Sequence, residues 1–214
     1  MIELAGQSQV TIAGGNISRS PVVSVTVTVI GSSNNYLLRR STARPGDSIA
    51  VTGYPGSAAA GLEMLKKKLK FTPVITQYLR AAFLHPVPHL TEGQILVKHG
   101  IKTAIDISDG LLSDLRHVCE ASKVSARLNT ERLPIHDAVR DNFGERALEL
   151  ALSGGEDYEL LFTGSTQAIN KIKAEIACPV TVIGEITAGE QCKIDLLDAA
   201  GNPFDIGKAG WTHF

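Results

Sequence analysis

Asp106-Ile-Ser-Asp-Gly110 places two carboxylates and a hydroxyl within four residues, directly ahead of a glycine. The apolar run of Ala104, Ile105 and Ile107 reads as a short buried strand. Leu111, Leu112, Leu115, Val118 and Cys119 share one face of a helix that follows. Carboxylates at the carboxyl end of a strand, beside a helix amino terminus, make a place where Mg2+ and phosphate can meet. The acids offer hard oxygen ligands, and the first helical N–H groups point at anions. A plainer reading stays open on this stretch alone: Asp109 caps the helix and Asp106 closes a turn.

Four other stretches could carry chemistry. In Ser153-Gly-Gly-Glu-Asp-Tyr-Glu-Leu-Leu-Phe-Thr163 the glycines would let backbone approach a ligand while Glu156 or Asp157 projects into the site. Alternatively, Gly154 ends a helix and the acids are surface groups. Gly14-Gly15-Asn16 suits a tight turn, the commoner fate, or a phosphate cradle. Arg39, Arg40 and Arg44 could clamp a polyphosphate or lie in a solvated linker. The tail Gly210-Trp-Thr-His-Phe214 holds the only tryptophan, suited to plug a core or to stack on a flat ring.

The elements that must position these residues follow from periodicity. Met1 to Gly6 reads as the last turn of a helix. Strands are expected at Val10 to Ile12, Ser48 to Gly53, Ser125 to Leu128, Leu160 to Thr163 and Val180 to Ile186. Val23, Val25, Val27 and Val29 alternate with Ser24, Thr26 and Thr28, which predicts a further strand with one buried face and an unpaired edge. Helices are expected at Ser57 to Leu69 (its lysine run on the wet face), Pro73 to Leu84, Glu145 to Leu152 and Thr166 to Ala177. Another should open on a capping box at Thr91 and end near Gly100. Lys193 to Phe204 reads as a hairpin turning on Ala200-Gly-Asn202. The turn-rich stretch from Arg39 to Asp47 marks a domain boundary, giving residues 1–42 and 43–214.

Composition bounds the rest. Of 214 residues, 43% are hydrophobic and 20% charged, ordinary for a globular chain with a real core. A net charge of −1 provides no long-range pull on nucleic acid or anionic membrane, and no apolar run approaches a membrane span. Cys119, Cys178 and Cys192 lack metal-ligand spacing, with Cys119 expected in the core, so a reduced cytoplasmic protein is expected. His85, His89 and His99 do not match zinc spacing either and read as structural or exposed.

Taken together and in order, Gly14-Gly-Asn-Ile-Ser-Arg-Ser20, Arg40-Ser-Thr-Ala-Arg-Pro-Gly-Asp47, Asp106 to Leu115, Ser153 to Thr163 and Gly210 to Phe214 resemble the thiamine-monophosphate kinase family. That family is part of the aminoimidazole-ribonucleotide-synthetase-like (AIR-synthetase-like) superfamily. The resemblance covers essentially the whole chain, and Asp-x-Ser-Asp-Gly and Gly-Gly-Glu-Asp-Tyr-Glu-Leu are its most specific blocks. It implies an α/β (α+β) fold of two domains: a truncated amino-terminal ATP-binding domain in 1–42 and a complete mixed-sheet domain in 43–214. It further implies Mg2+-dependent transfer of the ATP γ-phosphoryl group to thiamine monophosphate, giving thiamine diphosphate. Carried over by position, Asp106, Asp109 and Asn16 would ligate Mg2+, while Gly15, Asn16, Arg40 and Ser108 would contact ATP. Glu156 and Trp211 would hold the thiamine part, whose cationic ring suits a carboxylate and an aromatic face. No side chain is assigned as catalytic acid, base or nucleophile.

Two departures from the family accompany this. Its Gly-Gly-Asp is Gly-Gly-Asn here, so a carboxylate becomes the neutral amide of Asn16. The family also has a further amino-terminal segment, carrying other Mg2+-binding aspartates, a substrate-contacting histidine and most of the sheet that forms its homodimer. The expectation is therefore little turnover from this chain alone, with the homodimer left open. The alternatives are a non-catalytic nucleotide- or thiamine-binding remnant, or a fragment that needs a partner chain.

Overall fold

A computed structural model describes residues 2–33, 37–189 and 192–204. The chain divides into two compact units, Met1–Asn35 and Tyr36–Phe214. The expected tail with Trp211 lies outside the described residues.

The first unit opens on helix α1 (Ile2–Gln7), the helical turn read from its sequence. The strands expected at 10–12 and 23–29 are not formed. Val23 is 97% exposed and Val25 70% exposed, and Ser24, Thr26 and Thr28 on the opposite side are exposed too, so neither face of the alternation is buried. Alternation makes a strand only where a neighbour takes up its N–H and C=O groups, and no described segment pairs with this one.

The second unit is built on a six-stranded mixed sheet. Its strands are β1 (Ser48–Thr52), β2 (Thr103–Asp106), β3 (Ser125–Asn129), β4 (Leu160–Gly164), β5 (Val180–Thr187) and β6 (Ile194–Leu197). They lie in the order β2-β4-β1-β5-β3-β6. Only β3 and β6 run parallel among these pairs; the others are antiparallel. The central strands are covered on both faces. Ile49, Val51 and Leu161 turn to one core, with Leu111, Leu115 and Val118 of helix α5 (Leu111–Ser122). Ala50 and Phe162 turn to the other, against Leu96 of α4 (Leu90–Lys98) and Ile169 and Ile172 of α8 (Thr166–Glu175). This is why β1 and β4 read as continuous apolar runs, not as alternation. A third cluster joins α2 (Ser57–Lys67), α3 (Pro73–Leu84) and α7 (Arg146–Ser153) through Met64, Leu79 and Leu150. Cys119 is fully buried on α5, as its apolar stripe implies, and burial pushes its thiol up to about 11.

Two local details depart from expectation. Helix α4 begins at Leu90, with His89 and not Thr91 at its amino-terminal boundary. The expected capping box does not form because the helix already includes Leu90 and Thr91, with no side chain capping its start; Glu92, in the first turn, faces His89 Nδ1 at 3.4 Å. Helix α6 (Asp137–Phe143) was not legible in the sequence; its cap is an unusual one, with His136 Nδ1 accepting from the Ala138 N–H at 3.1 Å. Among the described residues no helix is long and apolar enough to cross a membrane.

Candidate active site

The two motifs richest in glycine and acid meet at one end of the sheet. Strand β2 ends at Asp106, paired opposite Leu160 of β4. Pairing then runs on beyond both strands. Ile107 N donates to Glu159 O (2.8 Å), Tyr158 N to Ile107 O (2.9 Å) and Glu156 N to Ser108 O (2.9 Å). Glu156 and Tyr158 take left-handed backbone conformations at φ 68° and 53°. Such angles are uncommon without a glycine, and the ladder to residues 107 and 108 holds them in place.

The glycines are there because the two loops touch. A Cβ on Gly155 would lie 2.4 Å from Ser108 O, and one on Gly110 would lie 2.8 Å from Ser153 O. Gly110 also sits at φ 113°, a conformation that side chains resist. Gly154 does end α7, but not as a left-handed cap. Its φ is −71°, its N–H donates to Leu150 O, and a Cβ there would press on Ala59 at 2.5 Å.

The helix-cap reading of Asp109 does not hold either. The boundary residue of α5 is Gly110, and no side chain caps it. Asp114, in the first turn, instead reaches back so that its Oδ2 accepts from Ser108 N and Asp109 N, each at 3.1 Å. Asp114 is the residue that sequence reasoning missed; its signal was a third acid five positions beyond Asp109. Because Asp114 fixes the turn, Asp106 and Asp109 remain exposed at its rim. Burial pushes Asp114 up to about 6, and the neighbouring charges of Asp109 and Asp106 add to the shift. The Tyr158 phenol is also raised, by burial first and then by Glu156, Asp106 and Asp109. The loop pair is thus a focus of negative charge. Carboxylate oxygens of Asp109 and Asp114 lie within 4.8 Å of each other and of a ring nitrogen of His117. Hard, anionic oxygens concentrated in this way fit Mg2+.

The other acids of the second motif have different work. Asp157 takes its Oδ2 to Gly56 N (2.6 Å) and its Oδ1 to Ala58 N (2.9 Å), capping α2 from a hundred residues away. Burial pushes its carboxyl up to about 7. Glu159 accepts from the Thr52 hydroxyl at 2.6 Å and pairs with His89 Nε2 at 2.7 Å. Of the two candidates Glu156 and Asp157, the exposed one is Glu156, with the Tyr158 hydroxyl donating to it at 3.2 Å. The Ser153 hydroxyl is buried beside the glycine pair with no hydrogen-bond partner among the described residues.

Asp106, Ser108, Asp109 and Glu156 are therefore brought together. Arg40 is not beside them: its carbonyl accepts from Ser122 at the carboxyl end of α5, while Asp109 adjoins the amino end. A helix of this length spans about 18 Å. Gly15 and Asn16 belong to the first unit.

Residues 44–196 match the family described as AIR synthase related protein, C-terminal domain. The chain belongs to that family, and the match covers the whole mixed sheet apart from the last residue of β6. Within it the chain is similar to thiamine-monophosphate kinases. It is 38% identical over 220 residues to that of Escherichia coli K12, a match covering 100% of this chain and 66% of that one. To the Bacillus subtilis kinase it is 34% identical over 221 residues, covering 100% and 67% respectively. The chain thus spans about two-thirds of the length of these relatives. Among solved structures, Stenotrophomonas maltophilia K279a thiamine-monophosphate kinase superposes with TM-score 0.69 at 34% identity, covering 78% of this chain and 54% of that one. AaThiL complexed with AMPPCP and TMP superposes at 0.70 and 30%, covering 84% and 55%. Escherichia coli HypE, at 18% identity and TM-score 0.64, shares the fold alone.

Proposed function

We propose that this chain carries the carboxyl-terminal part of a Mg2+-dependent thiamine-monophosphate kinase of the cytoplasm, which moves the ATP γ-phosphoryl group onto thiamine monophosphate. The observation that carries the reading is the backbone ladder between residues 107–108 and 156–159. It sets the residues suited to metal and nucleotide beside the one suited to a cationic ring, and phosphoryl transfer needs the two substrates aligned.

In this reading Asp106 and Asp109 hold Mg2+, and Asn16, in the first unit, is carried as a ligand on the family resemblance alone. Bound there, the ion would neutralise charge on the transferring group. Asp114 acts on the protein itself, by holding the Ser108 and Asp109 amides so that the turn presents its outer acids. Ser108 meets the nucleotide, while Gly15 of the first unit and Arg40, at the other end of α5, are carried as nucleotide contacts on the family resemblance alone. Glu156 and Trp211 take the thiazolium, where a carboxylate and an aromatic face each favour a cation. The relatives' names and the AMPPCP and TMP complex of AaThiL support the substrate pair.

Calorimetry on the full chain tests this, with TMP and AMPPCP titrated separately in the presence of Mg2+. Glu156→Gln should weaken TMP by about tenfold and leave AMPPCP nearly unchanged, since only a contact to the cation is lost. Asp109→Asn should do the reverse. Failure of both ligands to bind the unaltered chain would overturn the proposal. An assay of thiamine diphosphate formation then separates a working kinase from a binding remnant.

A further inference from the structure

A second cluster of ligating side chains lies outside the acid-rich loops and has no part in the reading above. His89 stands at the amino end of α4, Glu92 in its first turn, and Cys178 in the connection from α8 to β5. A ring nitrogen, a carboxylate oxygen and the sulfur of these three all lie within 4.8 Å of one another. The group is half-buried, with the His89 side chain 11% exposed. The ring is also oriented. His89 Nε2 meets Glu159 Oε2 at 2.7 Å, and that same oxygen is fixed by the fully buried Thr52 hydroxyl at 2.6 Å. With Nε2 committed, Nδ1 is the nitrogen left to coordinate, and it already faces Glu92 Oε2 at 3.4 Å.

We propose that His89 Nδ1, Glu92 and Cys178 form a Zn2+ site, with Glu159 and Thr52 as the outer pair that holds the imidazole. A carboxylate hydrogen-bonded to the far nitrogen of a metal-bound histidine is the arrangement zinc sites recurrently use. Mixed sulfur, nitrogen and oxygen donors select a borderline-soft ion and disfavour Mg2+ or Ca2+. Three protein ligands leave one position for water. The ion would tie the start of α4 to the chain entering β5, two segments about ninety residues apart. The spacing of His89, Glu92 and Cys178 matches no zinc pattern because the third ligand comes from a distant loop. The site is independent of the kinase proposal.

Metal binding to the full chain tests it, by equilibrium dialysis with Zn2+ against a chromogenic chelator and by spectroscopy with Co2+. The expected result is one Zn2+ per chain, and with Co2+ a thiolate-to-metal charge-transfer band alongside tetrahedral d–d bands. Cys178→Ser should abolish the charge-transfer band and His89→Gln should abolish stoichiometric binding. Glu159→Gln should keep the band while weakening Zn2+ by about 10–100-fold. Asp109→Asn, which alters the other acid cluster, should leave Zn2+ binding unchanged. A Co2+ spectrum of the unaltered chain with no sulfur band would overturn the site, whether or not the variants fold. So would Zn2+ binding that survives Cys178→Ser and is lost in Asp109→Asn.

Discussion

Two glycine pairs, each followed by a run of strand-like residues, have opposite fates in this chain. Gly154-Gly155 leads into β4, where Phe162 is fully buried, and a Cβ on either glycine would strike backbone or a neighbouring side chain within 2.5 Å. Gly14-Gly15 leads into Val23 to Val29, which stay exposed, and a Cβ on either of that pair would meet nothing within 4 Å among the described residues. Similar local sequences thus become a load on close packing in one unit and an open turn in the other. What separates them is the partner: β4 has a strand on each side, and the valine segment has none among the described residues.

The contrast is testable, beginning with the greatest effect. Phe162→Ala should cost about 3–5 kcal/mol in urea denaturation, the range for a large aromatic removed from a closed core. Val25→Ala, in the exposed run, should fall within about 0.5 kcal/mol of the unaltered chain. An equal loss at both positions would show that the valine run is packed after all. Next comes Gly155→Ala, expected to cost about 1–3 kcal/mol by overpacking and to weaken TMP and AMPPCP together. The clash falls on Ser108 O, and the flexible end of no side chain can yield there. Gly14→Ala should leave stability unaltered.

Asp157 sharpens the same comparison through pH. Its folded-state pKa of about 7 stands above the ordinary 3.8, so between those values the folded chain keeps a proton that the unfolded chain has lost. Stability from this group is therefore fullest near pH 4 and declines as pH rises towards 7. Asp114, raised to about 6, adds a slope of the same sign. Urea midpoints measured across this window should fall with rising pH, and Asp157→Asn should flatten the trend. Limited proteolysis reads the same contrast without altering the chain: it should cut first between residues 8 and 33 and leave residues 37–189 intact. First cuts within the mixed sheet would reverse the assignment of the two units.

Most of the second unit was legible because local signals there agree with tertiary demand. Pro73 after Thr72 opens α3 as its sequence implies, with the Thr72 hydroxyl accepting from Ile75 N. Ser165 likewise caps α8. The apolar stripe of α5 and the runs of β1 and β4 were read correctly because burial on one or both faces leaves a period in the sequence. Helix α6 escaped because seven residues carry little periodicity and its cap is an imidazole nitrogen. The start of α4 was misplaced because the helix begins at Leu90 without a side-chain cap, which puts the Thr91 to Gln94 pattern inside the helix and not at its boundary.

By itself the sequence determined which residues can do chemistry here, since carboxylate, amide and imidazole are fixed by composition. It also determined the elements whose hydrogen bonds close locally, the helices above all. Only the tertiary structure decided how those acids are spent: Asp157 on the end of α2, Asp114 on its own turn, Glu159 on His89, with Asp106, Asp109 and Glu156 left facing outward. The reason is physical. A carboxylate's role is set by the donors that approach it, and in this fold those donors come from residues up to 107 positions away.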